Sequence, residues 1–320
     1  MRVCLMIEGQ EGVTWDQWVA LATACEEHGF DALFRSDHYL SFGHPREWGT
    51  LDAWATLNAL ASHTSRIRLG TLVSPVTFRH PSELAKVVVT ADHASAGRVE
   101  LGMGAGWNEP EHRAYGFPFP PMPERFGMLR EQLEIVHRLW DRDEEEVTFS
   151  GTHYHLEGCH ALPKPLQDPH PTLILGGGAR KGAARLAARW ADEYNMNFVP
   201  PDECRGGRER LSAACEAIGR EPSSLHLSLM TNTLVGSDGK DLESRAVQLM
   251  LRRGDSGDPA AFLADLGPER IAGTPDRVLE QLAAYAKAGV ERVMMQHLAH
   301  DDLEMLAVIG EQVIPEASGL

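Results

Sequence analysis

Short runs of apolar residues alternate along the chain with longer segments in which apolar residues recur every three or four positions. The short runs are typical of strands buried on both faces, and the longer segments are typical of helices with one apolar face. The pattern predicts eight strands, at residues 3–7, 32–35, 67–73, 99–103, 172–175, 194–199, 225–235 and 290–295. Helices are predicted between them, at residues 51–63, 82–94, 124–140, from near 179, 208–218, within 236–268, and 302–313.

Local capping signals mark two further helices. Thr14 and Gln17 have the spacing of a capping box, and Gly29 is typical of a helix C-cap, so a helix is predicted between the first two strands. Thr274 followed by Pro275 is typical of an N-cap and first helical position.

Strands that alternate with helices indicate a parallel sheet, and eight of them favour a closed (β/α)8 barrel. We therefore predict one barrel domain over residues 1–320. Residues 147–156 alternate in polarity about Gly151, which predicts a short hairpin insertion after the fourth helix.

The composition agrees with a globular chain. Of 320 residues, 43% are hydrophobic and 24% are charged, which excludes a disordered protein. Lys and Arg number 30 against 46 Asp and Glu, a formal net charge of −16, which argues against nucleic-acid partners and anionic membrane surfaces. No apolar run approaches the ~18 residues of a membrane helix.

The cysteine content points to a reducing compartment. The five cysteines are odd in number and none form a CxxC pair, so neither a disulfide framework nor a zinc site is indicated. The first nine residues lack the layout of a signal peptide. We therefore expect a cytoplasmic protein.

In a (β/α)8 barrel the active site lies at the carboxyl ends of the strands, so the residues there are the candidates. The fifth strand ends in Gly176, Gly177 and Gly178 just before a helix. Exposed backbone N–H groups and the helix N-terminus would suit a phosphate, although a flexible turn would have the same sequence.

The fourth strand ends in a second glycine-rich segment, residues 102–106. It does not complete the G-x-G-x-x-G pattern of a dinucleotide site, so we reject a Rossmann site. The remaining alternatives are a tight turn and a wall of small residues against a flat ring system.

The second strand delivers Asp37 and His38. A histidine at a strand end can transfer a proton near neutral pH, but a lone histidine is more often structural. His153 and His155 have the HxH spacing of metal hydrolases, yet they fall in the predicted hairpin, where a metal site is not expected.

Four segments carry a resemblance to a known family: residues 35–38, 67–81 (IRLGTLVSPVTFRHP), 97–116 (GRVELGMGAGWNEPEHRAYG) and 173–192. They resemble the luciferase-like monooxygenase superfamily. Within it the chain is similar to the deazaflavin-dependent oxidoreductases of actinobacteria, which use coenzyme F420. The resemblance extends from about residue 1 to residue 313.

The resemblance implies a deazaflavin or flavin in the mouth of the barrel, with the ring against the third and fourth strand ends and the phosphate near the glycine turn. It also implies a homodimer. The implied cofactor-binding residues are Asp37, His38, Leu72, Val73, Ser74, Gly104, Ala105, Gly106, Asn108, Gly176, Gly177 and Gly178.

The implied activity is hydride transfer between F420 and a small organic substrate. His38 is expected to exchange a proton with the substrate, and Asn108 and Asp37 to orient the cofactor or His38. Glucose-6-phosphate dehydrogenases of the family place a catalytic glutamate about where Trp107 stands, so that sugar phosphate is not expected here. Glu8 is the nearest alternative catalytic carboxylate.

Three alternatives remain open at this stage. An FMN-dependent monooxygenase that uses oxygen is the first, because the two ring systems are alike. A non-catalytic flavin-binding protein and a metal-dependent barrel hydrolase are the others.

The resemblance also implies a cis peptide bond without proline in the third strand segment. We place it at Leu72–Val73, with Val73–Ser74 as the position one residue along.

Overall fold

The apolar runs form the strands of a parallel barrel that closes on itself. A computed structural model describes residues 1–44 and 47–320. Within them the barrel strands are β1 (Arg2–Ile7), β2 (Ala32–Arg35), β3 (Arg68–Thr71), β5 (Val99–Gly104), β8 (Thr172–Gly176), β9 (Glu193–Asn197), β10 (His226–Val235) and β12 (Arg292–Gln296). Each pairs in parallel with its neighbours, and β1 pairs with both β2 and β12, which closes the ring. The predicted (β/α)8 barrel is confirmed.

Helices follow the strands and cover the outside of the barrel. They are α1 (Trp15–Glu27), α2 (Ala53–Ala61), α3 (Pro81–Ala94), α4 (Glu109–Tyr115), α5 (Met122–Trp140), α6 (Lys181–Trp190), α7 (Pro201–Glu216), α8 (Gly239–Arg253), α9 (Pro259–Ala264), α10 (Pro275–Lys287), α11 (Leu303–Gln312) and α12 (Ile314–Ala317), with a 3-10 turn at Pro222–Ser224. None of the helices within the described residues is long and apolar enough to cross a membrane.

The capping signals act as the sequence indicates. The Thr14 side chain accepts the Gln17 N–H, the Gln17 side chain accepts the Thr14 N–H, and α1 begins there. Gly29 follows the end of α1 with a φ of +80°, a conformation that glycine adopts at little cost. Thr274 and Pro275 begin α10.

Four shorter strands accompany the barrel: β4 (Ser74–Pro75), β6 (Val147–Ser150), β7 (His155–Cys159) and β11 (Ile271–Gly273). The strands β6 and β7 pair antiparallel as a separate two-stranded sheet after α5. The third barrel strand is shorter than predicted, because β3 ends at Thr71 and pairing resumes at β4, alongside β5. The peptide bond between these two strands, Leu72–Val73, is cis, as the resemblance implied.

Three regions differ from the predicted helices, the first being the short α12, which was not predicted. The helix α4 was not predicted, although Pro110 in its first turn is a helix-start signal. The helix α7 begins at Pro201, seven residues before the predicted start at 208. Gly206 and Gly207 suggest a break there, but a Cβ at 207 would overlap the Met196 sulfur, so this glycine serves close packing inside the helix.

The two ends of the barrel interior differ in character. Its middle is apolar, with Met6, Phe34, Leu72, Met230 and Met294 in one buried cluster. At the amino ends of the strands the barrel is closed by buried ion pairs around Arg292. The carboxyl ends open into a cavity.

Candidate active site

A cavity of about 970 Å³ opens at the carboxyl ends of the barrel strands. Most of the predicted site residues line it: Glu8, His38, Leu72, Val73, Gly104, Ala105, Gly106, Gly176 and Gly177. Four predicted residues do not line it: Asp37, Ser74, Asn108 and Gly178. The cavity therefore lies at the strand ends where the candidate residues were expected, while Asp37 and Ser74 are buried behind its wall.

His38 is fixed in the cavity wall by a carboxylate. Its Nδ1 lies 2.7 Å from Oε1 of Glu111, a fully buried residue of α4. The other oxygen of Glu111 accepts the Tyr39 backbone N–H at 3.0 Å. Since an ionised carboxylate only accepts hydrogen bonds, the proton lies on Nδ1, and Nε2 is left for a ligand.

The surroundings of His38 also set its basicity. Burial lowers its pKa, but the hydrogen bond and negative charge of Glu111, with the charges of Glu8 and Asp37, outweigh burial and raise the pKa above the ordinary value of 6.5. Phe42 and Trp107 contact the imidazole edge to face, with ring centroids 4.9 and 5.6 Å away. His38 can therefore hold a proton at near-neutral pH beside an apolar surface.

Asp37 is not the hydrogen-bond partner of His38. Its carboxylate accepts hydrogen bonds from the Ser74 hydroxyl, at 2.6 Å, and from Arg79, and only 2% of the residue is exposed. Arg79 also pairs with Asp52. Asp37 and Ser74 thus belong to a buried polar layer behind the cavity, and the partner of the His38 ring is Glu111.

Asn108 is not a hydrogen-bond partner of His38 either. It is the N-cap residue of α4, and its carbonyl oxygen accepts a hydrogen bond from Nδ1 of His112 at 2.7 Å. Asn108 therefore stands at the start of the helix that carries Glu111. Glu111, three residues beyond Asn108, therefore orients His38 in place of Asn108 or Asp37. That Asn108 and Asp37 orient the cofactor stays a prediction.

Glu8 lies on the cavity wall with both oxygens engaged. Oε2 accepts the Gln10 amide at 2.8 Å, and Oε1 accepts the amide of Gln296. Gln10 is held in turn by the Ser36 hydroxyl, 2.5 Å away, and Gln296 contacts Asn232. This chain of amides fixes the carboxylate of Glu8 at the end of β1, facing the cavity.

Glycines shape the wall beside Val73. A Cβ at Gly104 would lie 2.7 Å from the Val73 side chain, and a Cβ at Gly102 would overlap the Thr71 carbonyl oxygen. Contacts that close are not tolerated, so both positions require glycine. The result is that Val73 projects over a wall of small residues, which leaves room for a flat ring.

The glycine turn after β8 presents backbone N–H groups near the N-terminus of α6. Gly177 has a φ of +136°, and its N–H binds the Asn195 carbonyl at 3.0 Å. The Ala179 N–H binds the hydroxyl of buried Tyr194 at 3.0 Å. Arg180 is the N-cap residue of α6, but its side chain accepts no hydrogen bond from the helix. Among the described residues, the backbone N–H groups of the first turn of α6 are therefore available to a ligand. Such a turn suits an anion.

His153 and His155 lie at the hairpin, in its turn and at the start of β7. In residues 1–44 and 47–320, no three His, Cys, Asp or Glu residues group closely enough to hold a metal ion. The five cysteines are free thiols.

Residues 2–292 match the family model described as luciferase-like monooxygenase. The chain belongs to this family, as the resemblance indicated. An F420-dependent glucose-6-phosphate dehydrogenase of Nakamurella multipartita is 30% identical over 94% of this chain and 92% of its own length. A second, from Amycolatopsis mediterranei, is 28% identical over 94% of both chains.

Solved structures share the fold. An F420-dependent secondary alcohol dehydrogenase superposes with a TM-score of 0.81 at 19% identity, covering 99% of this chain and 98% of its own. The F420-dependent tetrahydromethanopterin reductase of Methanopyrus kandleri gives 0.79 at 20%, covering 98% and 99%. A monooxygenase from Streptomyces bottropensis gives 0.81 at 21%, covering 98% and 99%. At these identities the likeness shows the barrel fold.

Proposed function

We propose that this protein is an F420-dependent oxidoreductase that transfers a hydride between the deazaflavin and an organic substrate. The observation that carries the proposal is the His38–Glu111 pair, which faces a large cavity between a wall of small residues and an anion-binding turn. The F420-dependent dehydrogenases among the relatives of the chain support it.

The residues fit the cofactor. A tricyclic ring needs a flat slot, and Gly104, Ala105 and Gly106 provide a cavity wall with almost no side chains. Its phosphate needs N–H donors at the far end of the slot, which the first turn of α6, just after the turn at Gly177, provides. Arg180 and Lys181 add positive charge there.

The bound deazaflavin would supply or accept the hydride, while the protein binds, orients and excludes water. His38 performs the matching proton transfer at Nε2: it donates a proton to the substrate oxygen during reduction and accepts it during oxidation. Glu111 holds the ring in one orientation and keeps Nδ1 protonated. Glu8 offers a fixed hydrogen-bond acceptor at the end of the neighbouring strand β1.

The proposal is tested by titrating the purified protein with F420 and with FMN, and by the variant His38→Ala. We expect tighter binding of F420, and a turnover of the variant that is roughly 10²–10⁴-fold lower, with F420 affinity changed less than about tenfold. Preference for FMN, or full turnover without His38, would contradict it.

The second candidate is an FMN-dependent monooxygenase. The same wall and the same anion-binding turn would accept FMN, and monooxygenases are among the structural neighbours. The titration above separates the two, as does oxygen consumption with reduced FMN. A non-catalytic flavin-binding protein would bind either cofactor without turnover.

The family resemblance also supports a cytoplasmic homodimer. Sedimentation equilibrium would then give twice the mass of one chain.

A further inference from the structure

Large apolar side chains are exposed around the mouth of the cavity. Phe42, Trp107, Met122 and Phe198 have 48%, 63%, 50% and 41% of their surface exposed, and all four line this cavity. They come from the segments after β2, β5 and β9 and from the start of α5. Exposed apolar groups that converge from separate segments on one opening are typical of a ligand surface.

The backbone at Phe198 supports a contact role. Its φ is +52°, in the left-handed region that a bulky residue rarely adopts, and its N–H is fixed to the Met230 carbonyl at 3.0 Å. This conformation does not bury the ring. Unfavourable backbone geometry at a cavity mouth points to a contact with a ligand.

The charges of the cavity disfavour an anionic substrate. Glu8, Glu11 and Glu111 line it. Two arginines also line it, but Arg252 is paired with Asp301 at 3.0 Å and Arg253 with Asp255 at 3.2 Å. The third group that can be positively charged, His38, is already paired with Glu111. An additional phosphate would therefore meet three carboxylates and only cations that already have partners.

We infer that the substrate is an uncharged molecule with a large apolar, ring-containing body that carries a carbonyl or hydroxyl group, rather than a sugar phosphate. The oxygen faces Nε2 of His38, and the apolar body lies against Trp107, Phe42 and Phe198. The assignment of a carbonyl or hydroxyl as the reacting group rests on the proposed function. The apolar character of the substrate rests only on the exposed residues at the cavity mouth, here called the rim (Phe42, Trp107, Met122 and Phe198).

The test is equilibrium binding of a fluorescent aromatic ketone, acetyl-dimethylaminonaphthalene, with and without F420. The emission of this dye rises and shifts to the blue in apolar surroundings. We expect saturable binding that glucose 6-phosphate does not displace. Trp107→Ala and Phe198→Ala should each weaken dye binding about tenfold, and leave F420 affinity within about threefold.

Ile218→Ala is the matched control, since Ile218 is equally apolar, is 58% exposed and does not line the cavity. It should bind the dye like the unaltered chain. Equal dye binding by the rim variants and the control overturns the inference. Displacement of the dye by glucose 6-phosphate, or rim variants that lose F420 instead of dye, also overturns it.

The proposed function fails separately. A chain that binds the dye through the rim but never binds F420 supports the apolar class and contradicts the F420-dependent activity. If the protein binds F420 but not the dye, the proposed F420-dependent activity stands and the inferred apolar substrate class is contradicted.

Discussion

At the scale of single residues, the proposed proton transfer depends on one imidazole and the carboxylate that holds it. His38 and Glu111 are 73 positions apart, and folding brings their side chains to 2.7 Å. The sequence identifies His38 because it follows a buried strand, where catalytic groups of barrels lie. It does not identify Glu111, because a contact between distant segments has no local signal. The Pro110 helix-start signal indicates only that Glu111 lies in a helix.

The variant Glu111→Gln tests how this pair sets the proton affinity of His38. Glutamine keeps a hydrogen-bond acceptor but removes the charge, so the raised pKa of His38 should fall. Protonated His38 would then be lost at lower pH, and the fall in substrate reduction with rising pH should move to lower pH. An NMR titration of the His38 ring measures the same shift without turnover.

The same substitution has a consequence for stability. A pKa raised by folding contributes stability that is complete below the unfolded pKa and is lost as pH rises through the folded pKa. Glu111→Gln should therefore cost more stability at acidic than at alkaline pH, as followed by urea unfolding. An unchanged titration of His38 would show that Glu111 does not control it.

At the scale of elements, apolar runs and caps predict most strands and helices, while close packing decides the exceptions. The bounds of β2 agree with the predicted strand, and α1 begins at its capping box. The predicted start of α7 was wrong because a glycine such as Gly207 usually indicates a helix break, whereas here it allows close packing against Met196 inside the helix. The periodicity of apolar residues indicates which face of a helix is buried, but it does not indicate how closely the neighbouring element packs against it.

The glycine turn gives a prediction at this scale. The Tyr194 hydroxyl accepts the Ala179 N–H, and Ala179 has an unusual φ of +47°, so this hydrogen bond holds the turn in shape. Tyr194→Phe should relax the turn and weaken F420 binding by roughly tenfold. Binding of a deazaflavin with a ribityl chain but no phosphate should be unchanged.

Comparison of these two ligands separates a local effect from a general one. Gly177→Leu places a side chain at a position with a φ of +136°, close to the Tyr194 hydroxyl. Like Tyr194→Phe, it should weaken binding of the phosphorylated ligand and leave binding of the ligand without phosphate unchanged. Equal losses for both ligands in Tyr194→Phe would mean that the phosphate lies elsewhere.

At the scale of the whole molecule, the barrel separates function at one end from stability at the other. Arg292 is fully buried at the amino ends of the strands and binds Glu100 through two hydrogen bonds of 2.9 and 2.6 Å. It also contacts Glu193 at 2.8 Å. Burial alone would raise the pKa of Glu100, but Arg292 and Arg68 lower it well below its ordinary value of 4.5.

Arg292→Met should destabilise the fold by about 3–5 kcal/mol at neutral pH, because the buried carboxylates of Glu100 and Glu193 lose the buried cation that they share. Arg277→Met is the control, since Arg277 is 62% exposed and its pairing with Glu280 contributes little. F420 affinity should be unchanged in both variants, because the ion pairs lie at the end opposite the cavity. Urea unfolding and an F420 titration measure the two effects.

The pH dependence of this difference identifies its cause. In the unaltered chain the lowered pKa of Glu100 contributes stability that is present above the unfolded pKa and is lost as pH falls through the folded pKa. In Arg292→Met the buried carboxylate of Glu100 keeps only Arg68 as a cation, so its pKa rises and its protonation relieves the variant as pH falls. The gap in unfolding free energy between the two proteins should therefore be widest near neutral pH and narrow below about 4.5. A gap that is independent of pH would instead indicate lost packing of the Arg292 side chain against Phe34, whose ring centre lies 5.1 Å from the guanidinium carbon.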